Sequence, residues 1–176
     1  MEKEALLQLR LRKLSIDDTY RLALLANNKK IADNLKNNFP HPYDANDAEF
    51  FIGNCLEEET PVTFAIEWNY ELVGCIGIIP QEDIYEHSAE IGYWVGEPYW
   101  NMGIASKALR IMMEYAFFKL RYTRLFAHVI EYNTASCHVL KKSGFTLEGI
   151  GKKAVLKNNR LWDEYRYGLL APASYI

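Results

Sequence analysis

Long apolar runs, cysteine pairs and an export signal are all missing from this sequence of 176 residues. Its apolar stretches fall far short of the roughly 18 residues that a membrane-spanning helix needs. Residues 1–4 are charged and show neither the apolar segment nor the cleavage site of a signal peptide. The three cysteines are widely spaced and include no C-x-x-C pair. We therefore expect a cytoplasmic protein with no membrane contact and no metal.

An excess of positive charge is missing as well. The chain has 20 basic and 23 acidic residues, a formal net charge of -3, and no block of Lys or Arg. Proteins that bind duplex nucleic acid usually concentrate basic residues on one face, so nucleic acid is an unexpected partner. No G-x-G-x-x-G fingerprint supports a dinucleotide-binding fold, and no Lys-Ser/Thr follows Gly103 as in a Walker loop. A nucleotide-hydrolysing domain is thereby disfavoured.

The composition that remains is typical of an ordinary globular protein. Hydrophobic residues make up 49% and charged residues 24% of the chain. A chain of this length buries enough surface to fold without disulfides or a metal. With no linker and no repeat, residues 1–176 are predicted to form a single domain.

The first third of the chain predicts one strand and two helices. Apolar and polar residues alternate over 7–11, which indicates a half-buried strand. Ser15 and the two acids after it predict a helix start, with the helix running through residue 25. A polar segment, 27–38, leads to an aromatic loop at 39–43, where two prolines prevent regular structure. Residues 46–49 have the pattern of a capping box for a helix ending near residue 59.

The sequence from residue 62 onward predicts six strands and two helices. Two β-branched runs form a hairpin, a third strand follows, and a helix then leads into a strand, a short helix and a closing hairpin. The predicted segments are 62–68, 72–79, 89–95, 103–120, 124–130, 134–142, 145–156 and 161–170. The chain therefore belongs to the α+β class, with a mixed sheet of about seven strands and helices on both faces.

One pair of strands is predicted to be parallel. Strands 89–95 and 124–130 are joined by a crossover helix, and this is the connection that parallel neighbours require. A ligand crevice is expected at the C-terminal end of such a pair.

The loop after strand 89–95 has the features of an anion-binding turn. Asn101 tolerates a left-handed backbone better than most residues, and Gly103 permits close approach of the main chain. Successive N–H groups at the start of the next helix can then point at one anion, such as a pyrophosphate.

Two segments resemble the signatures of the GNAT acetyltransferase superfamily. Residues 99–105 resemble its acetyl-CoA loop, Q/R-x-x-G-x-G/A, although Trp100 stands where Gln or Arg is usual. Residues 133–145 resemble its second signature, N-x-x-S at the start of a helix and L-x-K-x-G-F at its end. The resemblance extends over nearly the whole chain, to the branch that includes the ribosomal-protein N-terminal acetyltransferases. It implies a single GNAT domain that binds acetyl-CoA and acts as an N-acetyltransferase.

The resemblance also implies roles for individual residues. Glu90 corresponds to the glutamate that accepts the amine proton, and Ser136 is the candidate to orient or protonate the thioester sulfur, because Leu140 stands where many members have a tyrosine acid. Phe39, Tyr43 and the turn at 157–160 are expected to form the wall of the acceptor site. The residues implied in acetyl-CoA binding are Tyr93, Trp94, Val95, Asn101, Met102, Gly103, Ile104, Ala105, Ser106 and Asn133.

Several of these residues also have structural explanations. Asn133 can cap a helix with Ser136 at its third position, and Glu90 can be a solvated residue at a strand start. Cys137 and His138 do not suggest a catalytic dyad, because adjacent helical residues point about 100° apart. Asp163 and Tyr167 resemble a D-x-x-x-Y pattern of the family and are assigned structural roles.

The expected reaction is direct attack of a neutral amine on the thioester in a ternary complex. At pH 7 deprotonation costs about 1 kcal/mol for an α-amine and about 4.6 kcal/mol for a lysine, which favours an α-amine such as a protein N-terminus.

An acidic loop containing Glu82, Asp83 and Glu86 can attract a cation. Two alternatives stay open: an acetyltransferase for small amines such as polyamines or antibiotics, and a non-catalytic coenzyme A-binding regulatory module. A homodimer also stays open.

Overall fold

The structure is a computed structural model that describes residues 9–173. Within them, seven strands form one sheet in the order β1-β2-β3-β4-β5-β7-β6. The strands are β1 Leu9–Arg12, β2 Thr63–Trp68, β3 Glu71–Pro80, β4 Ser88–Val95, β5 Arg124–Ile130, β6 Thr146–Lys157 and β7 Arg160–Leu170. The α-helices are α1 Thr19–Ala26, α2 Lys29–Ala32, α3 Ala45–Leu56, α4 Ile104–Glu114 and α5 Thr134–Lys142. The predicted α+β class and seven-stranded mixed sheet are confirmed; Leu7, predicted in the first strand, lies outside the described residues.

Helices cover both faces of the sheet, as predicted. One apolar core joins the sheet to α4 and α5 and includes Ile104, Leu109, Met112 and Leu140. The other joins it to α1 and α3 through residues such as Leu22 and Ile52. Because each face of β3 and β4 is covered, these central strands are apolar along most of their length. No helix among residues 9–173 is long and apolar enough to span a membrane.

β4 and β5 are parallel, and they separate soon after they meet. Their register contains three pairs and ends at Glu90 opposite Phe126. β4 nevertheless continues to pair with β3 as far as Val95, and β5 continues to pair with β7 as far as Ile130. The two strands therefore diverge, and the edge of β4 that faces β5 has no partner strand beyond Glu90. We call this opening the β4–β5 wedge.

The capping box of α3 lies two residues before its predicted position. Asp44 caps the helix by accepting from the backbone N–H groups of Asn46 at 2.8 Å and Asp47 at 3.1 Å. Asp47 in turn accepts from the Asp44 N–H at 2.9 Å. The sequence offers two overlapping boxes, and the earlier one is used because Tyr43 is buried in the core immediately before it.

Two further helical segments differ from prediction. The polar segment 27–38 contains the short helix α2, which Asn28 caps by accepting from the Lys30 N–H at 2.9 Å. The predicted helix through residue 120 is α-helical only as far as Glu114 and continues as a π-helical turn, Tyr115–Lys119. Local capping and tertiary packing decided both details, and neither leaves a clear sequence pattern.

Candidate active site

The loop before α4 has a left-handed backbone and leads into a helix start without a side-chain cap. Asn101 and Gly103 both have left-handed backbones, with φ of 62° and 74°. Gly103 is the N-cap of α4, and no side chain caps this end of the helix. The first backbone donor that bonds back into the helix is Lys107, whose N–H reaches the Gly103 carbonyl at 3.1 Å. Among the described residues, the N–H groups from Asn101 to Ser106 therefore have no backbone partner, and they are free to bind an anion.

Trp100 fastens this loop to the end of β4. Its indole Nε1 donates to the Val95 carbonyl at 2.6 Å. The residue that departs from the family signature thus makes a structural contact that holds the loop beside the β4–β5 wedge. It also occupies one of the main-chain groups of Val95 that the sequence assigned to the cofactor.

The Tyr93 side chain reaches the helix side of the wedge next to α5. Its hydroxyl is buried and within hydrogen-bonding reach of the Ser136 side chain, although the two groups are not aligned well enough for a hydrogen bond of good geometry. Burial, the larger effect, raises the pKa of Tyr93, while the neighbouring Ser136 side chain lowers it. The sequence analysis gave no role to the Tyr93 hydroxyl, and its position beside Ser136 is seen only in the structure.

Glu90 lies at the point where β4 and β5 separate, on the face opposite to Tyr93. Its side chain is only 16% exposed, which disagrees with a solvated residue at a strand start. Oε2 is 3.0 Å from Lys36 Nζ, and Oε1 is 3.8 Å from His128 Nδ1. Neither Lys36 nor His128 was predicted from the sequence to belong to the site. The pairing of β4 with β5 places His128 near Glu90, but a single sequence does not show that register.

Phe39 and Tyr43 lie on the same face of the sheet as Glu90, in different layers. The Phe39 ring lies 6.1 Å from that of Trp94 and 5.0 Å from that of Tyr43, measured between centroids. Phe39 is half-buried, whereas Tyr43 is 5% exposed and belongs to the core. Phe39 can therefore line an acceptor site, whereas Tyr43 packs against the Phe39 ring from the core.

The start and end of α5 have the predicted conformations. Asn133 Oδ1 accepts from the Ser136 N–H at 3.1 Å, so the capping role of Asn133 is present. At the other end, Gly144 has φ of 94°, and the N–H of Phe145 bonds the Leu140 carbonyl at 3.1 Å, which closes the helix as a Schellman motif.

The remaining candidates have the structural roles expected of them. Cys137 is buried and neighbours Tyr167, while His138 is exposed, so the two form no dyad. Asp163 accepts from Lys152 Nζ at 2.7 Å and from the Lys153 N–H at 3.0 Å. No three His, Cys, Asp or Glu side chains within residues 9–173 gather as a metal site.

The turn between β6 and β7 reaches the segment after α2. Lys157, which is buried, donates from Nζ to the Leu35 carbonyl at 2.8 Å. Asn158 Nδ2 donates to Asp33 Oδ1 at 2.9 Å. A shallow cavity of about 270 Å³ lies between the two segments and includes Phe39 in its lining. The turn expected at 157–160 is thus on the Phe39 side of the site.

The site thus combines a diverging parallel strand pair, a helix start without a side-chain cap and a mostly buried carboxylate where the strands separate. The chain matches the Acetyltransferase (GNAT) domain over residues 8–146. It belongs to the GNAT acetyltransferase family.

Similar proteins include several N-acetyltransferases. Over 86 residues the chain is 43% identical to the uncharacterized N-acetyltransferase YnaD of Bacillus subtilis, a match covering 48% of this chain and 50% of that protein. Over 141 residues it is 24% identical to spermidine N(1)-acetyltransferase of Escherichia coli, covering 80% of this chain and 74% of that protein. The chain thus spans about half the length of YnaD.

Among solved structures, one similar chain is RimL, a ribosomal L7/L12 α-N-protein acetyltransferase in complex with coenzyme A. It superposes with a TM-score of 0.82 at 25% sequence identity, and the match covers 92% of this chain and 93% of that chain.

Replacing Trp100 by Phe removes the hydrogen bond to Val95 and keeps most of the ring. We expect the loop to be less well held, and the affinity for coenzyme A to fall about fivefold, the equivalent of about 1 kcal/mol. Isothermal titration calorimetry measures the change. Trp162→Phe is the matched control, because it removes a similar indole hydrogen bond, from Trp162 Nε1 to the Lys157 carbonyl, in the β6–β7 hairpin and not in the loop before α4. Equal affinities in the two variants would remove Trp100 from this role.

Proposed function

We propose that the protein transfers an acetyl group from acetyl-CoA to a primary amine. The observation that carries this proposal is the set of free N–H groups from Asn101 to Ser106 at the end of the β4–β5 wedge. These donors suit the diphosphate of coenzyme A, and the unpaired edge of β4 from Tyr93 to Val95 suits its amide-containing arm. The amide of Asn133 beside the wedge can donate to the same arm.

The proposed mechanism assigns one proton to each side of the sheet. Acetyl-CoA supplies the activated carbonyl when it is bound. Glu90, on one face, accepts a proton from the acceptor amine, and His128 beside it offers a route to solvent. Ser136, on the α5 side, donates toward the leaving sulfur, with the Tyr93 hydroxyl next to it. Backbone N–H groups of β4 stabilise the oxyanion.

We propose an α-amine, such as that of a protein N-terminus, as the acceptor. A carboxylate base suits an amine that needs little deprotonation at neutral pH. RimL, which acts on a protein α-amine by its name, supports this choice. The alternative is a polyamine or another small amine, and the spermidine acetyltransferase relative supports it. The approach to Glu90 past half-buried Phe39 is compatible with both.

The competing function is a coenzyme A-binding module without turnover. A panel of N-terminal peptides, polyamines and aminoglycosides, assayed for thiol release from acetyl-CoA, separates the two. We expect release with at least one acceptor, and faster release with α-amine peptides than with polyamines. Thermal stabilisation by acetyl-CoA without thiol release from any acceptor would instead establish the binding module.

Glu90→Gln tests the proton acceptor and keeps the shape of the side chain. We expect kcat to fall by about 100-fold, because a general base is lost, while the affinity for acetyl-CoA is unchanged. Steady-state kinetics with the best acceptor measures both quantities. Glu59→Gln, in the exposed segment after α3, is the matched control and is expected to retain full activity. Wild-type rates across pH in Glu90→Gln would remove Glu90 from the mechanism.

Ser136→Ala tests the second proton. The helix cap uses the Ser136 backbone N–H, so the variant loses only the hydroxyl and α5 keeps its start. We expect kcat to fall by about 100-fold with little change in unfolding free energy. Ser143→Ala, at the other end of α5, serves as the control. If Ser136→Ala turns over like the wild type in the same assay, the sulfur is protonated by another group.

A further inference from the structure

The ammonium of Lys36 occupies the position next to Glu90 in which an acceptor amine is expected. Lys36 Nζ and Glu90 Oε2 are 3.0 Å apart, although the two residues are 54 positions apart in the chain. Glu90 is mostly buried, whereas the Lys36 side chain is 64% exposed. The fold therefore brings one of its own primary amines from the surface to the carboxylate at the apex of the β4–β5 wedge.

The main chain that carries Lys36 is fastened on both sides. The carbonyl of the preceding residue, Leu35, accepts from the buried Lys157 Nζ at 2.8 Å. The carbonyl of Lys36 itself accepts from the Phe39 N–H at 3.0 Å. Asp33, three residues earlier, accepts from Asn158. The position of Lys36 beside Glu90 thus follows from contacts of its neighbours and not from its side chain alone.

Other lysines of the region face different carboxylates. Lys29 pairs with Asp33, Lys30 with Glu97, and Lys152 with Asp163. Among the ion pairs of residues 9–173, Lys36 is the lysine that contacts Glu90. The carboxylate is also approached from its other side by His128, whose Nδ1 is 3.8 Å from Oε1.

We propose that Lys36 is a self-acetylation site of this protein. The proposal rests on the proposed function, because it uses Glu90 as base and acetyl-CoA as donor. The Lys36 ammonium gives one proton to Glu90, and the neutral Nζ attacks the thioester carbonyl. A nitrogen–carbon bond forms and the carbon–sulfur bond breaks with its electron pair on sulfur. A second nitrogen proton goes to that sulfur, so the products are Nε-acetyl-lysine, coenzyme A thiol and one proton released through Glu90.

Tethering explains how a lysine can react where a free lysine is a poor acceptor. Holding an amine next to its base replaces a bimolecular encounter by an intramolecular step, which offsets the cost of deprotonation. The product is neutral, so the ion pair to Glu90 is lost and the carboxylate becomes available to an external amine. Self-acetylation therefore changes the acceptor side of the site as well as the residue.

The test is incubation of the full chain with acetyl-CoA and no acceptor, followed by peptide mapping by mass spectrometry over time. We expect acetylation at Lys36 to proceed about 100-fold faster than at Lys13, as a base-assisted step should. Lys13 directly follows β1, three strands away from β4 in the sheet, and reports uncatalysed acetylation. In Glu90→Gln the Lys36 rate should fall to that of Lys13. Lys36→Arg keeps the positive charge and should show no modification at this position.

The outcomes separate this proposal from the proposed function. Turnover of an external acceptor together with a Lys36 rate equal to that of Lys13 would overturn self-acetylation and leave the enzyme assignment intact. Rapid Lys36 acetylation that persists in Glu90→Gln would overturn the assigned base-assisted step. If no external acceptor is turned over and Lys36 is unmodified, both proposals fail.

Discussion

The site depends on the separation of β4 from β5 after their last pair, Glu90 and Phe126. Each strand keeps its other neighbour, β3 for β4 and β7 for β5, so the sheet remains continuous while the β4–β5 wedge opens inside it. The wedge exposes main-chain groups that would otherwise be satisfied by a parallel partner. A ligand with amide groups of its own can satisfy them, which is why a gap in a sheet can serve as a binding surface.

The wedge also explains why the other parts of the site lie together. β4 leads directly into the loop that Trp100 fastens to Val95, so the free N–H groups at the start of α4 lie at the open end. Glu90 lies at the closed end, on the face covered by Phe39, and Tyr93 points to the opposite face, toward Ser136. A ligand in the wedge therefore meets backbone N–H donors at one end and hydroxyl and carboxylate groups at the other.

The sequence predicted the order of most strands and helices along the chain, the parallel pair and the left-handed loop at Asn101 and Gly103, because these depend on local periodicity and on residue types with few alternatives. It misplaced the α3 cap, since two overlapping capping boxes differ only in how Tyr43 packs. It missed Lys36 and the Tyr93 hydroxyl. The positions of both follow from contacts between segments far apart in sequence, such as the one between Lys157 and Leu35, and a single sequence carries no signal for them.

Backbone amide chemical shifts on titration with coenzyme A test the central claim most directly, because they report on each N–H group separately. The account predicts that the largest changes fall on residues 101–106, with further changes along β4 from Tyr93 to Val95. Saturable binding that leaves the amides of 101–106 unperturbed and shifts another surface would contradict it.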